Sequence, residues 1–336
     1  MAEDKIVLDH GSGGRISHDM VSKMILPAFH NDILAKLDDG AVVDLNGLRL
    51  AFSTDSYVVD PVFFPGGNIG DLAVNGTVND VSMCGADPLY ISAGLILEEG
   101  FSSKDLKTIL ETMKRAADKA GVKIVTGDTK VVPKGKADKI FINTSGIGQV
   151  FPGINVSGDR AAPGDKIIIS GTMADHGITI LSAREGLAFE SDIKTDSAPL
   201  NTMVKSILNS GTAVHVLRDP TRGGVGTTLN EIAEQSRIGI RINEDALPVR
   251  NSVQGICELL GFDPLYLANE GKLIVFVSEK DADHVLEIIK QDPYGKDAAV
   301  IGEAIAEHPG RVVMNTRIGG ERIVDMLTGE QLPRIC

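Results

Sequence analysis

The chain has 336 residues, 43% of them hydrophobic and 24% charged, with a net charge of -13. That balance excludes a disordered chain, and the negative sign argues against a general nucleic-acid or membrane-surface role, leaving room for a local basic pocket. Length points to about two domains on a ~150-residue prior, and no uninterrupted apolar run approaches the ~20 residues of a membrane span.

Met1 to Leu8 carries Glu3, Asp4 and Lys5 and lacks a signal-peptide core. Cys84, Cys257 and Cys336 form no C-x-x-C, so neither a disulfide framework nor a cysteine metal motif is expected. The expected compartment is the reducing cytosol. The scattered histidines show no zinc-type pairing.

In chain order, His10-Gly11-Ser12-Gly13-Gly14 fits either a flexible linker or a close backbone approach to an anion. A helix is expected from Ser17 toward Pro27. Asn46-Gly47 then sits between two strand-like runs, the strongest short hairpin signal. A two-residue turn pairs Leu45 with Leu48, sets Asp39 opposite Thr54 and sets Asp38 opposite Asp55. Carboxylates collected at one hairpin end repel each other. A magnesium ion would relieve that repulsion; a solvated acidic strand end is the alternative.

A helix is expected over Ile69 to Cys84. At about 100° per residue, Ile69, Leu72, Ala73, Gly76, Thr77 and Cys84 share a face with Asp80 at its centre. An unpaired charge there is costly, so Asp80 is either a paired structural aspartate or a ligand. Asp71 falls on the opposite, solvated side.

A strand over Leu89 to Leu97 leads to an amphipathic helix capped by Ser102 or Ser103 and stopped at Gly121. The strand Val122 to Val132 is interrupted by Gly127-Asp128-Thr129-Lys130, which fits a bulge or close backbone approach. Asp128 and Lys130 form there either an exposed ion pair or a polar site. Ile140 to Val150 is a strand, and the Gly- and Pro-rich Phe151 to Pro163 a domain boundary.

The second half alternates strands and helices, with a polar loop over Ser191 to Pro199. Its strand Ala213 to Leu217 runs into Asp219-Pro220-Thr221-Arg222-Gly223-Gly224 and a helix. Such a turn offers N–H groups and a positive helix end to an anion, and Arg222 adds a bidentate phosphate donor. A plain connecting turn is the alternative. Cys257 reads as core packing and Glu270 as a surface-turn residue. The chain closes on Pro333-Arg334-Ile335-Cys336. A last-residue thiol is expected to be exposed and mobile, with Arg334 favouring the thiolate.

Taken together and in order, these stretches resemble the ATP-binding superfamily of aminoimidazole ribonucleotide synthetase and selenophosphate synthetase. They are His10–Gly14, Ser53-Thr54-Asp55-Ser56, Gly66–Gly70, Asn79-Asp80-Val81, Thr126–Lys130, Asp219–Gly224, Asn269-Glu270-Gly271 and Pro333–Cys336. Within the superfamily the match is to the HypE-type hydrogenase maturation factors.

The resemblance implies an α/β (α+β) fold of two AIR-synthetase-like domains. The glycine-rich segment and helix would occupy 1–37, an ATP-binding domain 38–150, a C-terminal domain 151–326 and a mobile tail 327–336. The N-terminal sheet would pair across a homodimer. A HypF-type carbamoyltransferase would load Cys336, and ATP would drive dehydration of the carbamoyl group to a thiocyanate. The cyano group would pass to iron on a HypC–HypD scaffold.

By motif, Asp39, Asp55, Asp80 and Asp219 would organise magnesium and phosphate, and Asp128 would join the ATP set. Arg222, Gly223 and Gly224 would meet phosphate. Lys130 would stabilise the transferring phosphate or polarise the amide oxygen, and Glu270 would be the base. A selenophosphate-synthetase-like enzyme would need a reactive Cys or Sec near the N-terminal glycines, and His10 to Arg15 holds none. A non-catalytic thiol carrier is the other alternative.

Overall fold

The computed structural model describes residues 5–186, 193–329 and 332–336. Residues 191–192 of the expected polar loop, 330–331 of the expected tail and 1–4 lie outside the described residues.

Arg15–Met20 (α1) and Leu26–Phe29 (α2) are joined by a π-helical stretch into the expected first helix. Strands β1 (Ala41–Leu45) and β2 (Leu48–Tyr57) follow, paired Leu45 to Leu48 as the Asn-Gly turn requires. Asn46 and Gly47 both take positive φ, which a two-residue hairpin turn of this type needs. A short hairpin, β3 (Phe63–Phe64) and β4 (Gly67–Asn68), opens α3 (Ile69–Met83). Asn68 caps that helix: its side chain accepts from Gly70 N at 2.8 Å, while Asp71 Oδ2 accepts from Asn68 N at 2.8 Å. Asp71 therefore has a capping role rather than standing free in solvent.

Next come β5 (Ala86–Glu98), α4 (Ser103–Ala120), β6 (Lys123–Val132) and β7 (Ile140–Val150). The sheet order is β1-β2-β7-β5-β6, antiparallel except for the β5–β6 pair. α3 covers one face, and buried residues of α3, α4 and the sheet form one core. The other face is open, with Phe52, Tyr90 and Ile96 exposed. β6 runs unbroken through Gly127-Asp128-Thr129-Lys130, where an interruption was expected. The close approach is real: a Cβ on Gly127 would sit 2.2 Å from the Ala93 carbonyl oxygen.

The second sheet uses β8 (Lys166–Ile169), β9 (Val214–Arg218), β10 (Gly239–Asn243), β11 (Ile274–Val277), β12 (Ala299–Ile305), β13 (Arg311–Asn315) and β14 (Glu321–Val324). Their order is β14-β13-β10-β12-β8-β11-β9. Helices α5 (Asp175–Glu185), α6 (Asn201–Asn209), α7 (Gly224–Ser236), α8 (Asn251–Leu260) and α9 (Ala282–Gln291) surround it. β14, like the short β3 and β4, was not expected; its Glu-Arg-Ile-Val offers too little alternation to stand out from a loop. Among the described residues, no helix is long and apolar enough to cross a membrane. All three cysteines are free and buried.

The largest correction concerns the closing residues. Ile335 and Cys336 are buried within the N-terminal core, at 3% and 6% exposure. Val58 N donates to Cys336 O at 2.9 Å, and Asp60 N donates to Arg334 O at 3.2 Å. The thiol was expected exposed and mobile; here its backbone is held by the N-terminal domain.

Candidate active site

Four elements build the site. The end of β2 and the middle of α3 bring Asp55 and Asp80. Ser53 Oγ, also on β2, donates to Asp80 Oδ2 at 2.7 Å and lies 3.0 Å from the Asp39 carbonyl oxygen. The turn after β9 brings Asp219 and Arg222. The approach to β11 brings Glu270, and Asn269 ties that approach to the turn. Asn269 Nδ2 donates to Pro220 O at 3.0 Å, and Asn269 Oδ1 accepts from Ala174 N at 2.8 Å.

The ambiguity between Asp38 and Asp39 resolves by their partners. Asp38 accepts from Ser157 Oγ and from Gly158 N, each at 2.8 Å, so it fastens the inter-domain linker. It does not face Asp55, because β1 begins only at Ala41. Asp39 pairs with Arg218 at 2.7 Å, and Arg218 also holds Glu231 at 2.9 Å. Arg218 was missed in sequence: a single arginine closing an apolar strand carries no local signal of a partner so far away.

The acids repel one another. Burial pushes the Asp80 carboxyl well up, and Asp219, Asp55 and Asp39 add to the shift. Burial likewise raises Asp39 well up against the opposing pull of Arg218. Asp219 is pushed up to about 6, chiefly by burial. Glu270 rises well above the usual carboxylate range through burial and then Asp55, with Arg222 opposing. One buried oxygen each of Asp39, Asp219 and Glu270 has no hydrogen-bond partner. Buried carboxylates in this condition need an outside cation or donor. No three ligand-type side chains among the described residues stand close enough to hold a metal alone.

The turn itself is shaped for close approach. Gly223 has φ 82°, and a Cβ there would meet Thr227 Oγ1 at 2.6 Å. It is the N-cap of α7, whose first turn has no acid. The N-terminal glycine segment packs here too: Arg15 N donates to Leu327 O at 2.7 Å, and Ser12, Arg222, Leu327 and Ile335 line one small cavity. It is therefore a close-packed backbone and not a flexible linker.

Cys336 meets this assembly. Arg222 Nη2 donates to Cys336 Sγ at 2.9 Å. Burial pushes the thiol up to about 12, more than Arg222 pulls it down, so the inserted sulfur is a neutral thiol. The cation expected to favour a thiolate, Arg334, is turned away. Its Nε donates to Val58 O at 2.8 Å and its guanidinium pairs with Asp138.

Asp128 and Lys130 stay apart from the buried acids. They are exposed on β6 and bond each other at 2.7 Å, and that hydrogen bond lowers the Asp128 carboxyl.

The comparisons accord with this arrangement. Residues 37–150 match the family "AIR synthase related protein, N-terminal domain", and residues 162–315 match its C-terminal domain. The chain is 52% identical to the carbamoyl dehydratase HypE of Azotobacter vinelandii, across 97% of this chain and 96% of that one. This chain belongs to the HypE family. A solved structure of a hydrogenase maturation protein HypE in complex with ATP superposes with a TM-score of 0.84 at 55% identity, covering 99% of this chain and 100% of that one. A HypE–HypF complex contains a chain 51% identical to this one, with a TM-score of 0.88, covering 92% of this chain and 99% of that one. HypE membership gives the acids, the phosphate-type turn and the inserted thiol a common setting.

Proposed function

We propose that this chain uses ATP to dehydrate an S-carbamoyl group on Cys336 to a thiocyanate, in the service of hydrogenase maturation. One observation carries the reading. The Cys336 sulfur lies 2.9 Å from Arg222, on the turn shaped for phosphate and beside the buried acids.

The chemistry follows from an amide oxygen being a poor leaving group. That oxygen attacks the γ-phosphoryl group of ATP, releasing ADP, and the carbon–oxygen bond then breaks to release phosphate. The two N–H protons leave as the C≡N bond forms. Such transfer depends on positioning and charge stabilisation. Magnesium, which would neutralise phosphate charge, would be held by one or two of Asp39, Asp55, Asp80 and Asp219 together with phosphate oxygens. Arg222 and the Gly223-Gly224 backbone hold phosphate oxygens beside the sulfur. Glu270 takes a proton from nitrogen; a carboxylate with raised proton affinity suits that task.

Lys130 enters through a second copy. β6 is a sheet edge exposed along its length, with Val125 and Val131 exposed at 57% and 67%. Open edges of this kind are normally covered. A homodimer pairing such edges supports Lys130 and Asp128 acting at the partner's nucleotide. Loading of Cys336 falls to a HypF-type carbamoyltransferase, and delivery of the cyano group to a HypC–HypD iron scaffold.

Mass spectrometry of the peptide ending at Cys336 tests the reading. Carbamoylated protein given ATP and magnesium should lose one water from that peptide, and Cys336→Ala should never acquire the group. A loaded peptide that keeps its water under those conditions sinks the proposal.

A further inference from the structure

The main-chain oxygens of the last three residues, two peptide carbonyls and the carboxylate of Cys336, meet four donors. Arg334 O accepts from Arg184 Nη2 at 2.8 Å as well as from Asp60 N. Ile335 O lies 2.8 Å from His176 Nε2. Cys336 O accepts from Val58 N at 2.9 Å. Two of the donors are main-chain groups of the N-terminal domain. The other two are side chains of α5, eight positions apart and so within about 80° of each other around the helix. The closing residues are gripped from both sides.

The Ile335 carbonyl fixes one proton of the His176 ring. A carbonyl only accepts, so Nε2 carries the proton. His176 Nδ1 lies 2.8 Å from Thr195 Oγ1, which itself accepts from Ser197 N at 3.1 Å. In the neutral imidazole the Thr195 hydroxyl donates to Nδ1, and the single ring proton is directed at Ile335. Burial, the largest influence, lowers its proton affinity and agrees with that state. Phe64 holds the ring edge-on, with centroids 5.8 Å apart.

The same short segment also braces the candidate base. Asp196, between Thr195 and Ser197, accepts from Glu270 N at 3.0 Å and pairs with Lys272 at 2.9 Å. Thr195 fixes the imidazole and Asp196 fixes Glu270, so the tail's anchor and the base share one mount.

We propose that His176 is a positioning residue: by donating to the Ile335 carbonyl it holds the closing residues in their inserted state, and so sets how Cys336 divides its time between the acid-lined site and solvent. Because it reads a main-chain carbonyl, the contact is indifferent to what the sulfur carries. A bare thiol and a loaded one are seated alike. Weakening it favours the loading partner's access at the expense of dehydration. The inference rests on the dehydratase reading for its consequence, but the position of the tail can be measured without any turnover.

The test is the rate at which iodoacetamide labels Cys336 in the intact chain, read by mass spectrometry of the last peptide. His176→Phe keeps the ring and its contact with Phe64 and deletes the donor; His176→Gln restores one. Losing a buried hydrogen bond should speed labelling about tenfold in the Phe variant, and Gln should return it toward the wild-type rate. With the inserted state still the major one, single-turnover dehydration of preloaded protein should fall by less than about twofold in the Phe variant, and acceptance of the carbamoyl group should not fall. Equal labelling rates in folded wild-type and Phe proteins overturn the proposal, whatever the dehydration assay gives. If the Phe variant does not fold, nitrogen-15 histidine NMR on the native sequence decides. Wild type should show an exchange-protected Nε2–H at His176 that vanishes when Ile335 and Cys336 are deleted, and a signal unchanged by the deletion overturns it.

Discussion

Two short segments carry residues of the proposed chemistry, and the fold treats them in opposite ways. The end at Cys336, expected to be loose, is buried and gripped at the main-chain oxygens of its last three residues. The stretch Gly127 to Lys130, read as a polar interruption near a site, is regular strand on an exposed edge. The difference is one of satisfied backbone. The closing residues find donors in Val58, Asp60, His176 and Arg184, so burial leaves their carbonyls paired. Among the described residues β6 has β5 on one side only, and its other edge is unpaired. A chain end can therefore be part of a core, and a regular strand can be the unfinished part of a site.

The comparison can be broken most decisively at the base. Glu270→Gln should bind ATP normally and dehydrate preloaded protein at least about a hundredfold more slowly, the usual scale for a lost general base. Single-turnover rates equal to wild type would remove Glu270 from the mechanism.

Lys130 offers a sharper version. Lys130→Ala should also slow dehydration, by about tenfold to a hundredfold for a lost charge-stabilising group. If β6 serves the neighbouring copy, mixing Lys130→Ala with Glu270→Gln chains should restore roughly a quarter of the sites, because hybrid dimers rebuild one complete site. A mixture no more active than its components would return Lys130 to its own chain or to a plain surface ion pair.

The smallest expected effect concerns stability. The folded-state proton affinity of Asp219 is raised to about 6. The folded chain thus binds an extra proton between the ordinary carboxylate range and that value, and loses stability as pH rises through it. Asp219→Asn should raise the melting temperature of the nucleotide-free protein at pH 7 by about 2–4 °C. The gain should disappear near pH 4, where both side chains are neutral. A variant that melts lower at pH 7 would mean that Asp219 is stabilised by a partner and not strained by its burial.

Local elements were legible because their causes are local. Asn46-Gly47 fixed the hairpin register, and Ser102 and Gly121 bounded α4 as capping residues do. Helical spacing put Asp80 on a buried face, and its proton affinity bears the expected burden of burial. What stayed hidden was partnership at a distance. Arg218 finds Asp39 across the domain boundary, Asp38 turns to the linker, and His176 meets a carbonyl 159 residues away. None of these side chains stands out in its own neighbourhood. Asp71 went astray for a related reason: helical spacing reports the face a residue occupies but not the cap it closes.

By itself the sequence determined the alternation of strands and helices, the family, and the set of acids and glycines from which a phosphate site could be built. Hydrophobic period, turn chemistry and motif order are written along the chain and survive without a fold. Only tertiary structure decided which carboxylates share a buried space, that Arg222 points at sulfur, and that Asp128 and Lys130 face outward. It also decided that Cys336 lies inside, because the free energy of burying a chain end depends on whether remote donors meet its carbonyls, and no property of Pro333-Arg334-Ile335-Cys336 encodes where those donors will be.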